Sequence, residues 1–421
     1  MLIMFRVKNF ASFKDDVILD LRKTSYKQYM NHIFDYGEYR LLKTVAIFGA
    51  NASGKSNLIS ALASFSSFIL RQFFDKDDNS YVNTKKITPM KPFLLSKDLD
   101  NEIEFEIVFG HNGSIYQYGY SIIEDKVTSE WLLINDEEVF EREKNSNEII
   151  FGDKYKDLLK DYTKFRDDRL YISNLDYFAT EPEIKAIIDD FKEYFREKFN
   201  IYFELILEFT IKGNPAITNI HKELEEDEAL RKKVAEYVRK IDVGIKDIVI
   251  EKENYKNRNT GEIEEIPVLK TVHSVYDDDG NEIDEKTFGL ELESTGTIRF
   301  ISFIQEILQM MNSGGVFIVD ELSSRLHPLV TKFIIDIFHS KLNKENAQLI
   351  FTTHDVSIMN KETFRRDQVA FVDKNEKGES TLYTLADLGV KQDATFDKDY
   401  FKGKYGAIPI VQSFLDKGSV E

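Results

Sequence analysis

Eight consecutive residues, Gly49-Ala50-Asn51-Ala52-Ser53-Gly54-Lys55-Ser56, constrain this chain more than any other segment, because they spell a complete G-x-x-x-x-G-K-S. The β-rich apolar run Thr44 to Phe48 leads into them, and Ser56 to Leu62, with helical apolar spacing, leads out. Strand, glycine loop and helix in that order are what a phosphate cradle requires. Glycines let backbone N–H groups wrap an anion, and the first turn of a helix adds positive potential. Lys55 can then reach the β- and γ-phosphates of ATP, and the Ser56 hydroxyl can ligate Mg2+. The candidate nucleotide-binding set is Gly49, Ala50, Asn51, Ala52, Ser53, Gly54, Lys55, Ser56 and Asn57.

Three distant segments complete the pattern. The apolar strand Val316 to Val319 ends in Asp320-Glu321, and such a strand delivers its last residues to the ligand edge of a buried sheet. There Asp320 can support Mg2+ through its water shell, while Glu321 can polarise an attacking water as general base. A second strand, Gln348 to Phe351, runs into Thr352-Thr353-His354-Asp355 and places the His354 imidazole at the same edge, within reach of a γ-phosphate. Upstream, Glu293-Ser294-Thr295-Gly296-Thr297 is a small-residue turn opening a helix, a second phosphate-binding device when it meets a nucleotide and an ordinary N-cap when it does not.

Composition limits the alternatives. The 421 residues hold no Cys, which removes disulfide frameworks, zinc ribbons and thiol nucleophiles and fits a reducing, cytoplasmic address. A net charge of −18 argues against a sequence-blind nucleic-acid coat. Neither a signal peptide nor a membrane span is expected, since no apolar run approaches about 18 to 20 residues.

The chain divides into three expected parts: an N-terminal lobe with the phosphate loop over residues 1–154, a helical insertion over 155–246, and a C-terminal lobe over 247–421. Paired strands are expected in Phe5 to Leu21 and a hairpin around Asn112-Gly113, whereas Ile184, Ile187, Ile188, Phe191 and Tyr194 recur at helical spacing. Short strands follow from 247 to 292, with turns at Asn259-Thr260-Gly261 and Asp278-Asp279-Gly280. The largely continuous apolar strands ending at Val319 and Phe351 predict a parallel sheet in an α/β fold.

Taken together, Gly49 to Ser56, Ser294-Thr295-Gly296, Asp320-Glu321, Ser323 to His327 and His354 resemble the ABC-type ATPase heads of the SMC, RecF and OLD group. Leu326-His327-Pro328, in the position of the D-loop, looks like the OLD-like branch. The segments Phe364 to Gln368 and Tyr400 to Pro409 are similar to the RloA/AbiL-type ATPases of bacterial phage-defence loci. The resemblance implies an ABC/SMC-type P-loop head acting as a homodimer, with Ser294 and Gly296 serving the nucleotide of the partner in trans. It also implies ATP and Mg2+ as ligands, Lys55, Glu321 and His354 as catalytic residues, Ser56 and Asp320 at the metal, and a separate nuclease-like effector. Two other readings stay open: a repair ATPase that binds DNA directly, and an ATP-bound scaffold that does not hydrolyse.

Where this sequence departs from the family, the Gln-containing loop has no evident counterpart, and Glu-Ser-Thr-Gly-Thr replaces a full Leu-Ser-Gly-Gly-Gln. Asp397-Lys398-Asp399 is set aside as a nuclease metal site because it follows a polar stretch rather than a buried strand. Asp277 to Gly280 lacks EF-hand spacing and reads as a turn. The Lys232-Lys233 and Arg239-Lys240 pairs read as a solvated helix face.

Overall fold

The computed structural model describes residues 1–74, 90–97, 100–144, 146, 148–202, 223–256 and 263–409. Strands β1 (Leu2–Lys8) and β2 (Val17–Asp20) pair antiparallel, a short hairpin β3 (Ile33–Tyr36) and β4 (Tyr39–Leu42) follows, and β5 (Thr44–Phe48) leads through the glycine loop into helix α1 (Lys55–Phe74). A meander of β6 (Glu102–His111), β7 (Ser114–Ile123), β8 (Lys126–Ile134), β9 (Glu137–Arg142) and β10 (Ile149–Phe151) extends the first sheet, since β6 pairs antiparallel with β1. Among the described residues this sheet has the order β10-β9-β8-β7-β6-β1-β2.

Helices α2 (Lys156–Leu159), α3 (Tyr171–Phe178) and α4 (Pro182–Glu193) come next, and α4 runs into a π-helical turn, Tyr194–Lys198. The expected helical periodicity is met: Ile184, Ile188, Phe191 and Tyr194 are buried. The stretch 155–246 is nonetheless not helical throughout. It contains strand β11 (Phe199–Tyr202), which pairs in parallel with a strand of a second sheet, and its helices pack into the same core as the first sheet. Part of the acidic and basic stretch from His221 to Lys233, and the turn at Asn259-Thr260-Gly261, lie outside the described residues.

Helix α5 (Glu228–Ile241) precedes an antiparallel meander of β12 (Ile245–Lys256), β13 (Ile263–Tyr276) and β14 (Glu282–Gly289). The β13–β14 connection is the expected turn, its Asp277 carboxylate accepting from the backbone of Asp279 and Asn281 at 3.0 and 2.8 Å. On α5 the basic side chains pair along their own helix, Lys232 with Glu228 and Lys240 with Glu236. Then follow α6 (Thr295–Ser313), β15 (Val316–Val319), α7 (Pro328–His339), β16 (Gln348–Thr352), β17 (Val369–Lys374), β18 (Ser380–Thr384) and α8 (Phe396–Phe401). The second sheet has the order β11-β15-β16-β5-β17-β18, parallel except for β18.

Alternation along these strands explains why the second sheet is buried on both faces. Val45 and Ile47 of β5 and Val316 and Ile318 of β15 face the core shared with α1, α3, α4 and the first sheet. Their neighbours Ala46, Phe48, Phe317 and Val319 face a second core with α5, α6 and α7. A strand with apolar residues on both faces reads as the continuous run seen in the sequence. Helix α1 lies between the two sheets, where Phe65 stacks on Tyr120 at 5.3 Å and meets Phe5 edge-on at 5.7 Å. Gln348, buried in β16, ties the sheets together directly, accepting from Leu2 N at 2.7 Å and donating to the Leu2 and Leu42 carbonyls. At the chain's far end, Tyr400 and Tyr405 pack on Phe371, and the segment forms a cap. Asp399 there pairs with Lys404. No described helix is long and apolar enough to cross a membrane.

Behind β5, His32 and His339 stack at 3.5 Å with both rings buried. Gln368 Oε1 accepts a hydrogen bond from His32 Nδ1, Gln368 Nε2 donates to Thr44 Oγ1, and Thr44 in turn can donate to His339 Nε2. That chain uses His339 Nε2 as an acceptor, which a protonated ring cannot supply. Burial pushes the His32 pKa down from 6.5 to about 4 and lowers that of His339, helped by the adjoining His32 ring. The unfolded chain therefore binds protons first as pH falls, so this contribution is full above about pH 6.5 and is lost as pH drops towards 4. The denaturation midpoint should fall over that window, and His339→Gln should flatten the slope; a midpoint that does not respond to pH there would refute this account.

Candidate functional site

Because β15, β16 and β5 are adjacent and parallel, their carboxyl ends bring three sequence-distant segments to one edge: Asp320-Glu321, Thr353-His354 and the loop from Gly49. Glycine is required twice in that loop. A Cβ on Gly49 would lie 2.3 Å from the Val372 carbonyl oxygen of β17, and one on Gly54, at φ +115°, would lie 2.6 Å from Ser380 Oγ and 2.8 Å from Ser12 Oγ. Ala52 also adopts a left-handed backbone, at φ 62°. The loop thus closes over itself, with Lys55 Nζ donating to the Gly49 and Ala50 carbonyls at 2.9 and 3.0 Å. Burial lowers the Lys55 pKa from its ordinary value, while Glu321 and Asp320 act in the opposite sense.

The paired acids are braced by residues on two other elements. Thr352 Oγ1 donates to Asp320 Oδ1 at 2.6 Å and accepts from Glu321 N at 2.8 Å. Ser56 Oγ donates to the same Asp320 oxygen at 3.3 Å. These hard oxygen donors, held on two elements of one edge, suit Mg2+. Glu321 sits at φ 54°, a region that costs a non-glycine residue energy, and Arg299 of α6 donates to its carbonyl at 2.6 Å. That turn aims the Glu321 carboxylate at His354, whose Nε2 lies 2.9 Å away, while His354 Nδ1 lies 3.5 Å from Lys55 Nζ. Lys55, Ser56, Asp320, Glu321 and His354 therefore form one contiguous set.

Two members of the surroundings escape a motif reading. Asn57 Nδ2 donates to Ser12 Oγ at 2.7 Å, and Ser380 Oγ lies within hydrogen-bond reach of Ser12 Oγ at 2.8 Å and of the Ser53 carbonyl at 2.6 Å. Ser12 and Ser380 come from the β1–β2 connection and the start of β18, and lone serines carry no sequence signal. Thr352 and Arg299 were equally silent, although Thr352 stands beside the His354 segment.

The Ser294 turn is built differently. Ser294 caps α6, accepting from Thr297 N at 3.0 Å, and Thr297 Oγ1 reaches Asp242 at 3.0 Å. Gly296 lies against the Arg325 carbonyl, where a Cβ would approach to 2.8 Å, so the turn packs on the D-loop of its own chain. Ser294 itself is exposed.

A glycine loop between strand and helix, with two acids just past β15 and a histidine just past β16, the strand between, is the arrangement of a P-loop nucleotide-binding fold. The family model described as "AAA domain, putative AbiEii toxin, Type IV TA system" matches residues 45–360, and the chain belongs to that family. Among solved structures, the chain is similar to the SMC head domain from Thermotoga maritima, at 16% identity over 91% of this chain and 98% of that one, with a TM-score of 0.42. It is similar also to the Smc head domain of Pyrococcus furiosus bound to the C-terminal domain of ScpA, at 13% identity over 96% and 98%, with a TM-score of 0.41. The search of curated proteins finds no match.

Thr352 is the testable brace. Thr352→Val keeps the strand former but removes both hydrogen bonds, and Mg2+-dependent nucleotide affinity should fall by about 10- to 100-fold, the usual effect of losing an orienting partner. Fluorescent-nucleotide titration with and without Mg2+ measures it; unchanged affinity would remove Thr352 from the site.

Proposed function

We propose that this chain binds and hydrolyses ATP at the edge formed by β5, β16 and β15, and that two copies act together. The convergence of Lys55, Asp320, Glu321 and His354 at that edge supports the reading most strongly. The loop amides of Gly49 to Ser56 and the start of α1 bind the phosphates, and Lys55 exchanges its loop carbonyls for phosphate oxygens. Ser56 and Asp320 would hold Mg2+, which supplies charge neutralisation of the phosphate oxygens when bound. Glu321 orients water and takes its proton as the water oxygen attacks the γ-phosphorus, so that ADP leaves and phosphate is released. His354 donates a hydrogen bond toward the transferring group.

The exposed Ser294 and the half-buried Gly296 serve the nucleotide of a second copy in this reading, which makes the homodimer the active form. With fewer donors than a full Leu-Ser-Gly-Gly-Gln turn, turnover is slow or depends on a partner. The family's description, which names a putative toxin of a type IV system, accords with a role in bacterial defence in which the ATPase controls a separate effector in the cytoplasm. The division into an N-terminal lobe, a middle insertion and a C-terminal lobe belongs to the same proposal.

Phosphate release from Mg-ATP, recorded beside light scattering, tests it. Wild type should turn over, Lys55→Ala should lose turnover and binding, and Glu321→Gln should keep ATP and accumulate dimers. Equal inertness of all three proteins would overturn hydrolysis in favour of an ATP-bound scaffold, and strong stimulation by duplex DNA would favour a repair ATPase that contacts DNA itself.

A further inference from the structure

Where α4 leads through the π-helical turn into β11, towards the amino end of β15 rather than the carboxyl end that carries Asp320, three ligand-type side chains converge that nothing in the nucleotide chemistry needs. His111 ends β6, while Asp190 and Glu193 lie three residues apart on α4 and so share one helix face. One ligand atom from each of the three lies within 4.8 Å of the others, and among the described residues no other such group of histidine and acidic side chains occurs. His111 is 6% exposed, and its Nε2 is buried without a hydrogen-bond partner, 3.4 Å from Glu193 Oε2 but poorly aligned with it. An imidazole nitrogen sealed from water and left unbonded is costly unless something occupies the space in front of it.

The carboxylates are arranged to receive the same occupant. Asp190 is oriented by the hairpin that carries His111, accepting from Asn112 Nδ2 at 2.7 Å and from the Tyr116 hydroxyl at 2.6 Å. Outer partners of this kind fix the direction of a metal-ligating carboxylate. Glu193 divides its oxygens, with Oε1 3.9 Å from Lys198 Nζ and Oε2 turned to His111. Lys198 therefore neutralises one oxygen and leaves the other available.

We propose that His111, Asp190 and Glu193 form a binding site for a zinc-class dication, with water completing the coordination. One imidazole nitrogen and two carboxylate oxygens suit Zn2+ better than Mg2+ or Ca2+, which prefer oxygen alone. Tetrahedral ligands at about 2.0 to 2.2 Å stand about 3.3 to 3.5 Å apart. The His111–Glu193 pair already has that spacing at 3.4 Å, and an Asp190 carboxylate oxygen lies within 4.8 Å of both ligand atoms. The ion would clamp the β6–β7 hairpin to the end of α4, one π-helical turn before β11, the strand whose last carbonyl, that of Tyr202, accepts from Asp320 N at 3.1 Å. It is thus a structural site joining the first sheet to the nucleotide-bearing one.

Calorimetric titration of the full chain with Zn2+, without nucleotide and in an Asp320→Asn background that disables the other metal-binding edge, tests the proposal. One equivalent should bind, be removed by chelator, and raise the thermal midpoint. His111→Gln should abolish that equivalent, and Glu193→Gln, which preserves shape, should weaken it by about tenfold or more. If His111→Gln does not fold, as judged by circular dichroism, Glu193→Gln alone decides. Absence of the equivalent in the background protein, or its retention at full affinity in the folded variants, would overturn the site.

Discussion

The parallel pairing of β16 between β5 and β15 is the constraint from which the rest follows. Each of the three strands is apolar on both faces, so each must be covered twice, by α1 and the first sheet on one side and by α5, α6 and α7 on the other. That double burial fixes the register, and the register decides that Phe351 lies beside Val319 and Ala46. Glycine loop, acids and histidine then meet at the carboxyl ends of these strands. The polar edge is the one place where the strands leave the core, and it is there that Glu321 and Ala52 accept left-handed backbones.

A chain with a net charge of −18 offers a nucleotide no general attraction. The local arrangement has to supply it, through backbone N–H groups, the start of a long helix and one buried ammonium. Asp320 and Glu321 stand close enough to Lys55 that both acids oppose the effect of burial on its ammonium. The hydroxyl of Thr352 and the guanidinium of Arg299 hold the acids in place before any ligand arrives.

The glycine loop, the paired acids and His354 were legible because each is a run of adjacent residues with a flanking strand or helix. The parallel sheet was legible for the same reason, as were the hairpin at Asn112-Gly113 and the periodicity of α4. The braces were not: Ser12, Ser380, Thr352 and Arg299 act through contacts between residues far apart in the chain, and nothing about an isolated serine announces its partner. Strand β11 was missed because Phe199-Asn200-Ile201-Tyr202 is short and follows helical residues without a glycine or proline break. Its identity is set by the edge of β15 that it covers, a tertiary override of local pattern.

Gln348 has a consequence for how the molecule is made. Its side chain accepts from the backbone of Leu2, 346 residues away in sequence, and donates to the same residue's carbonyl. Strand β1 therefore cannot complete its native bonds until β16, far later in the chain, has been synthesised, and β5 waits for the same strand to become its neighbour. Contacts of such long sequence separation slow folding and leave early-made apolar surface exposed in the interval. The edge that carries the glycine loop and His354 needs β5 and β16 side by side, and so is completed only after β16 has been made.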